Sequence, residues 1–158
     1  MKKMIMLPVL LAVLSLVSAF PMVFAAHAVP FKGRMSGNGI ATSQTSNAIT
    51  ATVYLGHLGK SELVGTTTVT GLSACGGFVG VETDIITAAN GDEVFISGAG
   101  ISCPASPTVF QDTVTFSITG GTGRFAYASG SGVTQTTIYI TSQTTSTFTA
   151  TISGTISF

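Results

Sequence analysis

Between Phe148 and Phe158 every second residue is apolar or glycine (Phe148, Ala150, Ile152, Gly154, Ile156, Phe158), and every residue between them is threonine or serine. A period of two belongs to extended backbone, whose successive side chains leave opposite faces, so this stretch reads as a strand with one face in a core and the other in water. Phe110, Val114, Phe116 and Ile118 alternate in the same way with Gln111, Thr113, Thr115, Ser117 and Thr119, and Ala51, Val53 and Leu55 alternate with Thr52, Tyr54 and Gly56. Further runs rich in β-formers fall at about 31–36, 62–71, 79–88, 93–100 and 133–141, which brings the expected strands to eight. No stretch after residue 28 carries a helical period. Turns are expected at 56–61, 74–77, 90–92, 104–107, 120–123 and 142–146, with Asn90-Gly91 the best tight-hairpin signal because both residues tolerate positive φ. Eight strands over residues 29–158, undivided by any proline-rich or charged linker, predict a single all-β domain: a small eight-stranded antiparallel closed β-barrel.

Residues 1–28 have a different character. Met1-Lys2-Lys3, a long apolar run to Phe20 and then Ala26-His27-Ala28 give the pattern of a secretory signal peptide cleaved near Ala28. The run is longer than most such segments, so an uncleaved N-terminal anchor is the alternative. The expected location is secreted, whether periplasmic or extracellular. Without Lys2 and Lys3, four basic residues (Lys32, Arg34, Lys60, Arg124) stand against six acidic ones (Glu62, Glu82, Asp84, Asp92, Glu93, Asp112), a net charge of −2. Such a chain offers no basic face to neutralise phosphates, which excludes nucleic acid as a partner. Cys75 and Cys103 both fall in the exported part and are expected to form one disulfide. Metal binding or redox chemistry is the lesser reading, since there is no Cys-x-x-Cys and only His57 remains after cleavage. No metal and no cofactor are expected.

The stretch Gly120-Gly121-Thr122-Gly123-Arg124-Phe125-Ala126-Tyr127-Ala128-Ser129-Gly130 contains Gly121-x-Gly123-x-x-Ala126, formally a dinucleotide fingerprint. That chemistry requires a helix whose N-terminus holds a pyrophosphate and an acidic residue further on for the ribose. Neither is expected here: the β-forming run 133–141 follows, and no acidic residue lies beyond Asp112. The glycines instead read as a turn, with Phe125 plugging the end of the barrel.

The same residues, Gly120 to Phe125 with Ala128 and Gly130, resemble the signature shared by plant dirigent proteins and allene oxide cyclases. Leu55-Gly56-His57-Leu58-Gly59-Lys60 and Ala89-Asn90-Gly91-Asp92-Glu93 resemble bacterial secreted proteins of the allene-oxide-cyclase-barrel type. The resemblance implies an eight-stranded antiparallel barrel, often a homotrimer, with a ligand cavity inside. Departures from it bear on activity. Where dirigent proteins have arginines after the phenylalanine and after the later alanine, this chain has Ala126 and Ser129, and where cyclases often have an acidic residue after the phenylalanine it again has Ala126. Neither activity is carried over.

Four residues are candidates to contact a ligand. Asp112 shares the parity of Phe110, Val114, Phe116 and Ile118, so a regular strand points its carboxyl into the barrel as a pocket acid with a raised pKa, whereas a bulge at Gln111-Asp112 turns it to the solvated rim. His57 has the parity of Val53 and Leu55 but sits at a glycine-flanked strand end, suited to a general base, a ligand contact or a plain turn residue. Arg124 and Tyr127 are placed to line a cavity mouth, or to serve as a solvated turn residue and a barrel cap. Glu82 and Asp84 lie on one face of a strand beside Ile86, at a spacing that suits paired carboxylates, and an outer face is expected for them. A Ser-His-Asp triad lacks its Gly-x-Ser-x-Gly elbow.

These residues support an exported barrel that binds an apolar or amphipathic small molecule in its interior, with no catalytic set in view. The alternatives are a cyclase or isomerase of the same fold that holds one conformer of a flexible substrate, a structural or adhesive surface protein presenting threonine-rich sheets, and a small outer-membrane barrel ending on Phe158.

Overall fold

The computed structural model describes residues 27–158. The expected signal peptide therefore lies, apart from its last two residues, outside the described residues. Eight strands run in order: β1 (Val29–Ala41), β2 (Ser46–Leu55), β3 (Gly59–Leu72), β4 (Phe78–Thr87), β5 (Glu93–Ser106), β6 (Val109–Gly121), β7 (Ser129–Ile140) and β8 (Thr145–Ser157). Each pairs antiparallel with the next and β8 closes on β1, giving the eight-stranded closed barrel expected from the alternation. Closure leaves no unpaired strand edge. No helix among the described residues is long and apolar enough to cross a membrane.

The strands are longer than the sequence indicated, for an identifiable reason. β1 continues through Ser36-Gly37-Asn38-Gly39 and β7 begins through Gly130-Ser131-Gly132, segments that read as interruptions. Glycine inside a strand marks close approach by a neighbour. A Cβ at Gly132 would lie 2.6 Å from the Phe116 ring. The Phe116 ring in turn meets Phe31 edge-on, with centroids 5.9 Å apart. Large aromatic rings thus fill the volume the glycines leave. β5 also runs past the turn expected at 104–107, carrying Pro104 within the ladder, where the register to β6 shifts between Pro104 and Ser106.

At the Asn90-Gly91 hairpin only Gly91 has positive φ, at 87°, while Asn90 does not. The Gly91 N–H donates to the Ala88 carbonyl and the Ala88 N–H to the Asp92 carbonyl, both at 2.9 Å, so the connection is a three-residue loop with a left-handed glycine, not a two-residue turn.

The connection from β6 to β7 contains a single 3₁₀ turn, Gly123–Phe125, where no helix was expected. One turn of three residues is far too short to hold a pyrophosphate. Phe125 is fully buried at this end of the barrel, its ring 5.0 Å edge-on from that of Phe158. Gly123 has φ of 54°, and a Cβ there would strike the carboxylate of Asp92, which accepts the Arg124 N–H at 3.3 Å. Gly123→Ala is therefore expected to cost about 2 kcal/mol, from left-handed strain plus displacement of that carboxylate. Urea denaturation measures it, and a cost below a few tenths of a kcal/mol would show that the turn relaxes freely.

Cys75 and Cys103 form a disulfide that ties the β3–β4 connection to β5. The bond stands at the end of the barrel opposite Phe125.

Candidate functional site

Inward-facing residues change character along the barrel axis. On β6, Phe110, Asp112 and Val114 are half-buried, whereas Phe116, Ile118 and Gly120 are buried. β5 runs the other way and shows the reverse order, with Val94 and Ile96 buried and Gly98, Gly100 and Ser102 half-buried. β3 repeats it, Ser61 and Leu63 being buried and Gly65, Thr67 and Val69 half-buried, and so does β2, with Ile49 and Ala51 half-buried before Val53 and Leu55. One half of the interior is thus a dry core, sealed by Phe31, Leu58, Phe125 and Ile156. The other half, toward the end where the disulfide lies, is a shallower cup whose inward residues keep part of their surface exposed.

Three carboxyls enter this cup. Asp112 faces inward from β6, opposite Ser102 on β5 and Thr136 on β7. Glu82 and Asp84 also face inward, which corrects the outer position expected for them. They take the parity of Ile86, which is fully buried, while Val81 and Ile85, of the other parity, are exposed. The parity with Ile86 was a usable signal. It was obscured because β4 carries apolar residues on both faces, so hydrophobicity alone does not tell inside from outside.

Glycines on the neighbouring strands make room for the acids. Asp84 pairs with Gly65, where an added Cβ would strike Asp84 Oδ1. Glu82 pairs with Gly98, where an added Cβ would lie 3.1 Å from Glu82 Cγ and 2.8 Å from Val114 Cγ1. Asp84 is the deepest of the three, with 7 % of its surface exposed.

Burial sets the protonation of all three. It raises the Asp84 pKa to about 8, with the charge of neighbouring Glu82 adding to the effect. Burial likewise raises Glu82 to about 7, helped by Asp112. Asp112 is raised by burial, and a hydrogen bond from Ser102 pulls it back. Oδ1 of Asp84 and Oδ1 of Asp112 are buried without a hydrogen-bond partner. Lys32, Arg34 and Lys60 are exposed on the outside, and Arg124 lies at the sealed end, so among the described residues no cationic side chain enters the cup. Nor do three or more His, Cys, Asp or Glu side chains among the described residues converge as a metal site.

The other candidate residues lie elsewhere. His57 is exposed in the β2–β3 turn, and its backbone carbonyl accepts a hydrogen bond from Arg124 Nη2 at 3.2 Å. Arg124 also holds Asp92, Nε to Oδ2 3.8 Å, and lies 4.6 Å over the Phe125 ring. His57 and Arg124 are thus brought together at the sealed end, where they stitch two connections over the core. Tyr127 is 94 % exposed in the β6–β7 connection. None of the three joins Asp112, and His57 and Asp112 sit toward opposite ends of the barrel, so no triad forms.

Two shallow concavities, of about 500 and 400 Å³, lie on the outer wall among Arg34, Ser36, Tyr54, Gln135, Tyr139 and Thr149 and do not open onto the carboxyls. Chemically the cup offers carboxyls that, near neutrality, change between hydrogen-bond donor and anion. A scan against protein-family models and a search of curated proteins find no match for the chain.

Proposed function

We propose that the chain is an exported, disulfide-braced barrel that binds a small amphipathic molecule in the open half of its interior. The observation that carries this reading is the axial gradient. A dry apolar floor gives way, within one barrel, to half-buried walls bearing Glu82 and Asp112 beside apolar Ile49, Val114 and Ile138. A mostly apolar concavity with a few convergent polar groups is the usual form of a small-molecule site. Export is supported by the disulfide and by the basic and apolar character of residues 1–28. The allene-oxide-cyclase-like glycine motif supports placing the chain in that barrel superfamily, whose members keep their ligands inside. A membrane barrel is disfavoured by its outer wall: Lys32, Arg34, Ser36 and Asn38 on β1 and Thr147, Thr149, Thr151 and Ser153 on β8 do not make an apolar belt.

The test uses N-phenyl-1-naphthylamine, an apolar dye that fluoresces when it leaves water. Saturable enhancement with the exported chain is expected, and Thr136→Phe, which fills the cup beside Asp112, should weaken binding by about tenfold or more. Binding unaltered in Thr136→Phe, with circular dichroism unchanged, would place the dye elsewhere, and absence of binding would overturn the reading.

The raised proton affinity of the three acids favours one second reading, a cyclase or isomerase that uses Asp112 to donate or accept a proton. Turnover of a molecule recovered from the cup should then vanish in Asp112→Asn.

A further inference from the structure

Resting on the cup as a binding site, we propose that the polar group it receives is an organic ammonium, seated among Glu82, Asp84 and Asp112 with its hydrocarbon part toward the mouth. Three observations lead there. The cup contains three acids, and the residues that face them from every adjoining strand are uncharged: Gly65 and Thr67 on β3, Gly98 and Ser102 on β5, Thr134 and Thr136 on β7. Asp84 is more than nine-tenths buried, yet its Oδ1 has no partner, and the Asp112 Oδ1 is likewise unmatched. A buried carboxyl left in this state is costly, and a group that brings both N–H donors and positive charge offsets that cost most completely.

The shape of the donor set distinguishes an ammonium from a metal ion. Asp84 and Glu82 occupy successive inward positions on β4, and Asp112 lies two strands away on β6, so the acids are stepped along the wall and do not converge as ligands around one ion. The three N–H donors of one ammonium need no closed coordination shell, only adjacent acceptors, and Glu82 neighbours both Asp84 and Asp112. Apolar Phe110 and Ile138, inward-facing, half-buried and paired one step mouthward of Asp112 and Thr136, supply a lining for the frame.

Proton linkage follows. A cation favours the ionised carboxyls, so binding releases protons and strengthens as pH rises from about 5 toward 8, where the amine stays charged and the acids ionise more readily.

Isothermal titration calorimetry of the exported chain with n-octylamine, 1-octanol and octanoate separates charge from hydrocarbon. The amine should bind about tenfold or more tightly than the alcohol, with octanoate weakest, since a charge-assisted hydrogen bond outweighs a neutral one by that order. Repeating the titration in buffers of different ionisation enthalpy should show proton release. In Glu82→Gln/Asp112→Asn, with circular dichroism confirming the fold, the amine-to-alcohol ratio should fall close to one. Equal binding of amine and alcohol overturns the ammonium while leaving the cup intact. An unchanged ratio in the double variant overturns the seat among these acids. Failure of all three probes and of N-phenyl-1-naphthylamine overturns the cup and the ammonium together.

Discussion

Raising the pH from 4 to 9 is expected to destabilise this protein by several kcal/mol, the reverse of the usual acid sensitivity of folded proteins. In the unfolded chain Asp84 and Glu82 ionise near their ordinary values of 3.8 and 4.5, whereas in the barrel burial raises them to about 8 and about 7. The folded state therefore holds protons that the unfolded state has released. Well below pH 3.8 both states are protonated and the stability is fully present. From pH 4 to pH 8 the unfolded state ionises first, so stability falls through that window and levels off above it. Every tenfold difference in proton affinity between the two states is worth about 1.4 kcal/mol, and the groups interact, so the loss belongs to the pair and not to one residue.

Asp84→Asn keeps the shape of the side chain and removes its charge. It should raise stability at pH 9 by about 2–4 kcal/mol and flatten the profile, because Gly65 still leaves room and the unpartnered Oδ1 has no hydrogen bond to lose. Urea unfolding across the pH series is the measurement. A profile that is flat or rises from pH 4 to 9, or an Asn variant with the parental slope, would show that water or a counter-charge already satisfies the carboxyl. If an ammonium occupies the cup, adding n-octylamine should restore stability selectively at high pH, because the ligand binds only the folded form.

Removing the disulfide should have the second large effect. Cys75→Ser/Cys103→Ser is expected to lower stability by about 3–4 kcal/mol, since the link constrains the unfolded chain across a sequence separation of 28. For a domain of this size that corresponds to a fall of roughly 10–20 °C in Tm. The bond also braces the mouth of the cup. It joins the β3–β4 connection to β5 next to Ser102, whose carbonyl lies beside Gly77. Phe78 and Phe110 stack across the same rim, with centroids 6.3 Å apart. Amide exchange in the double variant should therefore rise first at residues 73–79 and 101–104, while Phe31, Phe116 and Ile156 at the sealed end stay protected until global unfolding. Calorimetric stability equal to the parent's would mean that the ladder alone holds the mouth.

Part of the site was legible in the sequence. Asp112 could be placed inside because Phe110, Val114, Phe116 and Ile118 on its strand share one parity, and the polar residues Gln111, Thr113, Thr115 and Ser117 take the other. Asp84 and Glu82 lacked that contrast: Val81 and Ile85 are as apolar as Ile86, and the cost of burying a carboxyl argued for the outside. The glycines opposite them removed the steric part of that cost, and which glycine faces which acid is a matter of register, set by pairing across β3, β4 and β5. Arg124 and His57 show the converse. Their chemistry is legible, but their use in tying two connections over the sealed end depends on a contact 67 positions apart in the chain.

What the sequence determined by itself was the period of two, hence strands, their number and a single closed sheet, because alternation fixes which side chains share a face without reference to any partner. It also determined the one possible disulfide and the absence of a basic surface. Only the tertiary structure decided which end of the barrel is dry, which face of β4 is inner, and that three acids from β4 and β6 enter one cup. Those properties depend on strand register and on volumes left by glycines on neighbouring strands, and no local pattern encodes either.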